Sequence, residues 1–311
     1  MIVRLGLAEL GPLLGELTVE RPLLVASERW RDLELPVAER FHGVRPHAPV
    51  ATVQQAVGAT TGVDGLVGLG GGSAIDTAKA VSAQTGLPLV AVPTTYAGAE
   101  WTPYFGMRDE ERRLKTGGSG SHTVAIVYEP ELTLGLPRDE TGGTAMNALA
   151  HCVEALYSGD LAEARRGAAG IEEWLPRVLE HPDDLVARTR LLEAARYAGE
   201  ALAKRGLYLG HAMAQALGGR YGLPHGALNA ICLPAAMRFN EPVTPEAIAA
   251  VPIETVEKLA QLCGFTRLSD LGVPEEDLDE VAQATAVRGG AKANPRPASP
   301  AEIAELLRSV W

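Results

Sequence analysis

The stretch Gly65-Leu-Val-Gly-Leu-Gly-Gly-Gly-Ser73 constrains the fold more than any other, because an apolar run leads straight into three glycines and then into a helical pattern. Without Cβ atoms the chain can turn sharply and let its backbone approach another group, and the first N–H groups of the following helix face that group. Strand, glycine turn and helix in this order open a βαβ unit, which calls for a parallel sheet with crossover helices.

The rest of the first 137 residues fits such a sheet. Short β-like runs predict strands over Pro22 to Ala26, Gly65 to Leu69, Leu87 to Pro93 and Thr123 to Tyr128, and helical spacing predicts crossovers over Val50 to Thr60 and Ser73 to Gln84. The polar stretch from Thr102 to Lys115 predicts a surface hairpin. From Arg138 onward strand signals nearly vanish. Alanine- and leucine-rich segments predict helices over Glu140 to Tyr157, Ala162 to Leu179, Asp184 to Lys204 and Leu207 to Leu217. A Gly- and Pro-rich excursion from Gly289 precedes a last helix, Pro300 to Val310. The expected architecture is an α/β dinucleotide-binding domain, residues 1–137, followed by an all-α domain, residues 138–311.

A length of 311 residues favours two domains, since single cores stop growing near about 250–300 residues. The net charge of −11 argues against a nucleic-acid partner, whose phosphates need a basic face. No apolar stretch approaches the roughly 20 residues that cross a bilayer. Cys152, Cys232 and Cys263 are an odd number without CxxC spacing, which fits a reducing cytoplasm.

At the glycine run, Gly70, Gly71, Gly72 and Ser73 form the candidate seat of a pyrophosphate, with Ser73 placed to cap the helix and Asp76 and Lys79 further along it. The spacing differs from GxGxxG, and Ser27 stands where a ribose-binding carboxylate would close the first strand, with Glu28 beside it. Both NADH and NADPH are therefore admitted. A second post-strand segment, Ala91 to Glu100, offers the hydroxyls of Thr94 and Thr95 to phosphate or ribose and the flat face of Tyr96.

In the helical half, Asn147 and His151 stand at i and i+4, so they share a helix face. His211 and Gln215 repeat the spacing, and His225 follows Pro224 at a helix start. Three imidazoles suit Zn²⁺ or Fe²⁺, while Asn147 is a neutral and weak fourth ligand, so a metal site and a metal-free pocket of hydrogen-bonding histidines are both open. His42, His47, His122 and His181 lie near turns or prolines and read as surface groups. Cys152 points about 100° away from His151 and reads as core.

Together these residues resemble the iron-containing alcohol dehydrogenase superfamily, and within it the maleylacetate reductases. The resemblance rests on Gly70 to Ala80, Pro93 to Glu100, Tyr128 to Leu134, Met146 to His151, Leu217 to His225 and Asn294 to Pro297, and it runs over nearly the whole chain. It implies an active site in a cleft between the two domains, cofactor contacts from Gly70, Gly71, Gly72, Ser73, Thr94, Thr95 and Leu134, and at least a homodimer joined through edge strands of the sheet. In metal-dependent members one Asp and three His hold the ion, and the matching positions are Asn147, His151, His211 and His225. Maleylacetate reductases tend to carry Asn at the first and are regarded as working without metal. Gln215 replaces a histidine common to both branches, and Trp101 stands where a smaller residue is usual.

The first reading is thus an NAD(P)H-dependent reductase that transfers hydride to a conjugated oxo-dicarboxylate in aromatic-compound breakdown, with His151, His211 and His225 as catalytic donors to substrate oxygens and Arg220 or Arg238 as carboxylate partners. The second is a metal-dependent alcohol dehydrogenase or aldehyde reductase. The third is a dinucleotide-binding homologue without turnover.

Overall fold

The computed structural model describes residues 1–311. The chain divides into two compact units, Met1–Thr95 with Ala99–Gly135, and Tyr96–Gly98 with Leu136–Trp311. No helix is long and apolar enough to cross a membrane.

The first unit carries strands β1 (Ile2–Leu5), β2 (Pro22–Ala26), β3 (Glu39–Phe41), β4 (Gly65–Gly70), β5 (Leu89–Pro93), β6 (Phe105–Asp109), β7 (Leu114–Gly118) and β8 (Thr123–Tyr128), with helices α1 (Leu10–Glu16), α2 (Val50–Gly58) and α3 (Gly72–Thr85). Six strands form one sheet in the order β1-β8-β5-β4-β2-β3, and every pairing is parallel. The pleat splits its side chains between two cores. Leu24, Ala26, Val67, Leu69, Val90 and Val92 join α1 on one face, and Leu23, Val25, Leu66 and Leu89 meet Ala56 of α2 and Ala78 and Val81 of α3 on the other. A Cβ at Gly68 would lie 2.8 Å from that of Ala78, so this glycine lets α3 sit close on the sheet. The expected hairpin is the antiparallel pair β6–β7.

Two strands escape the periodicity argument. β1 has four residues and β3 has three, two of them charged, as suits the edges of a sheet where side chains remain partly in water. Ser73 does not cap α3. Gly71 is the N-cap and no side chain bonds the helix start; the Ser73 hydroxyl instead accepts the N–H of His47 at 2.9 Å.

The regular structure of the second unit is all helical: α4 (Arg138–Leu156), α5 (Ala162–Glu180), α6 (Leu185–Arg205), α7 (Leu209–Tyr221), α8 (His225–Asn240), α9 (Pro245–Ala250), α10 (Ile253–Leu262), α11 (Leu278–Ala286), α12 (Gly289–Lys292) and α13 (Pro300–Ser309). α4 is buried on nearly every side from Thr141 to Leu156, and it packs against α5, α6 and α8. α7 starts two residues later and runs further than the expected Leu207 to Leu217, ending where Gly222 adopts φ 67°. α13 opens with a reciprocal Ser299–Glu302 capping box. One turn of helix, α12, sits in the otherwise irregular Gly289 to Pro300 excursion.

Candidate functional site

The glycine seat lies at the carboxyl end of β4, a central strand, which is where open parallel sheets bind ligands. Gly70 has φ 138°, a conformation closed to L side chains, and its carbonyl accepts the N–H of Thr94. A Cβ on Gly71 would stand 2.9 Å from Thr95 Cγ2. The backbone is thus narrowed between α3 and the Thr94–Thr95 segment, and the first N–H groups of α3 have no side-chain cap. Thr94 and Thr95 are buried, whereas Gly71, Gly72, Ser73 and Leu134 are half-buried. Uncapped helix N–H groups beside glycine suit a diphosphate. Glu28, beside the ribose position expected near Ser27, is tied to Arg31 through two oxygens.

Behind the seat lies a buried polar network that sequence patterning does not reveal. Lys79, 1% exposed, donates to the carbonyl of Ala99 at 2.6 Å and stands 3.7 Å from Asp76. Asp76 accepts the N–H of Gly106 on the hairpin. Glu100 accepts the Tyr128 hydroxyl at 2.7 Å, and that hydroxyl accepts the indole N–H of Trp101. Burial pushes the carboxyls of Asp76 and Glu100 up and the ammonium of Lys79 down, with the neighbouring opposite charges opposing it.

In the second unit the three histidines come together. The rings of His151 and His211 stack at 4.8 Å with an interplanar angle of 12°, and His225 lies 5.8 Å from His211. Each is placed by its helix: His151 on α4, His211 in the first turn of α7 and His225 at the start of α8. His211 Nδ1 lies 2.8 Å from Glu154 Oε2, and the same carboxylate accepts the N–H groups of Tyr208 and His211. Glu154 is fully buried. With Nδ1–H given to Glu154, His211 Nε2 is left buried without a hydrogen-bond partner. Burial, and secondarily His211, hold the His151 imidazole well below its ordinary value, so its ring is neutral near pH 7.

Asn147 is fully engaged. Its amide N–H₂ donates to the carbonyl of Ala97 at 2.9 Å and faces His151 Nε2 at 3.4 Å, and its oxygen accepts from Asn229 at 2.6 Å. Asn229 Nδ2 also stands 3.1 Å from His225 Nε2. Ala97 belongs to the three-residue segment held by Tyr96, whose N–H meets the Thr144 hydroxyl and whose own hydroxyl accepts from the buried Arg188. Gln215, half-buried, follows His211 by one turn.

Neither arginine expected to meet a carboxylate is available for it. Arg220 is bonded to Asp277 and Glu280, and Arg238 to Glu257. These partners come from distant sequence, which local inspection of the two arginines does not show.

The chain matches the iron-containing alcohol dehydrogenase model over residues 5–128 and the C-terminal model of the Fe-containing alcohol dehydrogenase family over residues 141–311. It is 34% identical to a maleylacetate reductase of Pseudomonas sp. (strain P51), covering 98% of this chain and 93% of the relative. Similar solved structures include a putative alcohol dehydrogenase from Ralstonia eutropha JMP134, with TM-score 0.92, 30% identity and coverage of 100% and 96% of the two chains. Another is a maleylacetate reductase from Agrobacterium tumefaciens, with TM-score 0.89, 30% identity and coverage of 100% and 95%. With both units matched, the chain belongs to the iron-containing alcohol dehydrogenase family and is an oxidoreductase.

Proposed function

We propose that the protein is a maleylacetate reductase: it takes hydride from NADH or NADPH seated at Gly70–Ser73, Thr94, Thr95 and Leu134 and reduces maleylacetate to 3-oxoadipate. The observation that carries this is the 34% identity to a maleylacetate reductase over 98% of the chain, and the reacting group is marked by the buried, unpartnered Nε2 of His211 backed by the carboxylate of Glu154. A polar atom sealed from water without a partner calls for a ligand group.

The dinucleotide supplies the hydride. Addition to the alkene carbon β to the ketone leaves an enolate, and one proton completes the product. Of the three candidate donors, we assign this proton to His211, whose Nε2 is buried without a partner and whose Nδ1 is backed by Glu154. With a proton on Nε2, His211 would have Glu154 as the counter-charge, and transfer of that proton would leave the imidazole still bonded to Glu154 through Nδ1. His151 and His225 each present Nε2 to an amide N–H₂, so they shape the site as neutral rings. Asn147 and Asn229 hold those rings, and the buried surroundings strengthen each hydrogen bond to a developing oxyanion.

The metal-dependent reading is favoured by the same histidine, since a metal-bound imidazole commonly turns its other nitrogen to a carboxylate. In that case His151, His211 and His225 would hold Fe²⁺ or Zn²⁺. The amides set against it: His151 Nε2 and His225 Nε2 face N–H groups, and Asn147 turns its oxygen to Asn229. Homodimerisation through an exposed sheet edge, β1 or β3, belongs to the proposal and is checked by sedimentation. The reaction itself is tested by NADH and NADPH oxidation with maleylacetate and identification of 3-oxoadipate; absence of that product rejects the assignment.

A further inference from the structure

We infer that Asn229 is a positioning residue that passes the orientation of Asn147, fixed by the Ala97 carbonyl, on to His225 and so sets the tautomer of that ring. The inference rests on that cluster being the reaction site proposed above.

The order of the chain of bonds follows from one fixed atom. The carbonyl of Ala97 can only accept, so the group 2.9 Å from it on Asn147 is the N–H₂, and the Asn147 oxygen must point the other way. That oxygen also can only accept, which makes the atom 2.6 Å away the N–H₂ of Asn229. The second hydrogen of this N–H₂ is directed to His225 Nε2 at 3.1 Å. Nε2 is therefore the acceptor and the ring proton sits on Nδ1. A backbone carbonyl thus dictates a histidine tautomer through two amides.

The position of Asn229 suits the task. It stands one turn after His225 on α8, and it is 1% exposed. Without the amide, the Asn147 oxygen loses its donor and His225 Nε2 loses the N–H that holds it as an acceptor. Turnover then falls while dinucleotide binding, which belongs to the glycine seat, is left alone.

The experiment pairs ¹⁵N-histidine NMR with kinetics on wild type, Asn229→Leu and Asn229→Asp. The resonance lost in His225→Phe identifies His225. In the wild type it should report Nδ1–H, and in Asn229→Leu a tautomer mixture. Asn229→Asp presents only acceptors and should move the proton to Nε2. Both variants should lower kcat with maleylacetate by about tenfold to a hundredfold, the range for removal of a group that orients a site histidine, with the NADH dissociation constant unchanged. Wild-type His225 in the Nε2–H form overturns the inference, and so does unchanged kcat in both variants. Should Asn229→Leu not fold, the wild-type tautomer and Asn229→Asp still decide. Should the wild type fail to reduce maleylacetate, the proposed reaction fails, whereas the NMR result continues to decide the role of Asn229.

Discussion

Glu154 Oε2 lies 2.8 Å from Nδ1 of His211, with both side chains sealed from solvent and the carboxylate also accepting two backbone N–H groups at the start of α7. One carboxylate thereby fixes a helix start and the ring that the start carries. It also gives a proton on the far side of that ring a counter-charge. Glu154→Gln should keep the fold and lower kcat by about 10²–10⁴-fold, the usual contribution of positioned acid–base chemistry, while leaving NADH affinity intact. Steady-state kinetics and fluorescence titration check this, and unchanged kcat would remove His211 from the proton-transfer role.

Gly71→Val places branched carbon where even a Cβ comes within 2.9 Å of Thr95. Dinucleotide binding should be lost, while the helical unit keeps its far-ultraviolet dichroism. Retained NADH affinity by titration would refute the placement of the diphosphate.

Lys79→Met removes an ammonium that is 1% exposed, leaving the Ala99 carbonyl and Asp76 without their main partner. Breaking a buried ion pair from one side costs about 3 kcal/mol. A urea unfolding series should show this loss, and the double variant Asp76→Asn/Lys79→Met should recover part of it. Additive losses in the double variant would show that the two groups do not act as a pair.

Local pattern made the parallel sheet and the helical half legible because buried β-strands and alanine-rich helices carry distinct periods. It also placed Asn147 and His151 on one face and found His211 and His225. Glu154 was missed, although an acid within the apolar run from Ala145 to Leu156 of α4 is itself a signal, since an unpartnered charge is rarely buried there. Asn229 repeats at His225 the four-residue spacing of Asn147 and His151, so its signal was also present. The attachment of Tyr96–Gly98 to the helical unit had no local signature, because Thr144 and Arg188 that hold Tyr96 are far away in sequence. The helix expected to end at Leu217 runs through Gly218 and Gly219 to Tyr221, where tertiary packing outweighs the low helix propensity of glycine.

Burial raises the thiols of Cys232 and Cys263 from their ordinary 9.0 to about 12. The unfolded thiols lose their protons first, so this stabilisation is complete below pH 9 and is lost as pH rises towards 12. Each thiol should lower the unfolding free energy by up to about 1.4 kcal/mol per pH unit across that window. Urea midpoints at pH 8 and pH 10.5, compared with Cys232→Ala, check the slope; a variant with the same slope as wild type would contradict it.

The most direct test of the proposed reaction is turnover by enzyme stripped with a chelator and verified free of iron and zinc by elemental analysis. The histidine–amide site predicts that the stripped enzyme oxidises NADH or NADPH with maleylacetate at the same rate as before, one reductant per 3-oxoadipate formed. A stripped enzyme that is inactive with maleylacetate, and that reduces aldehydes or ketones only after Fe²⁺ or Zn²⁺ is restored, would contradict it.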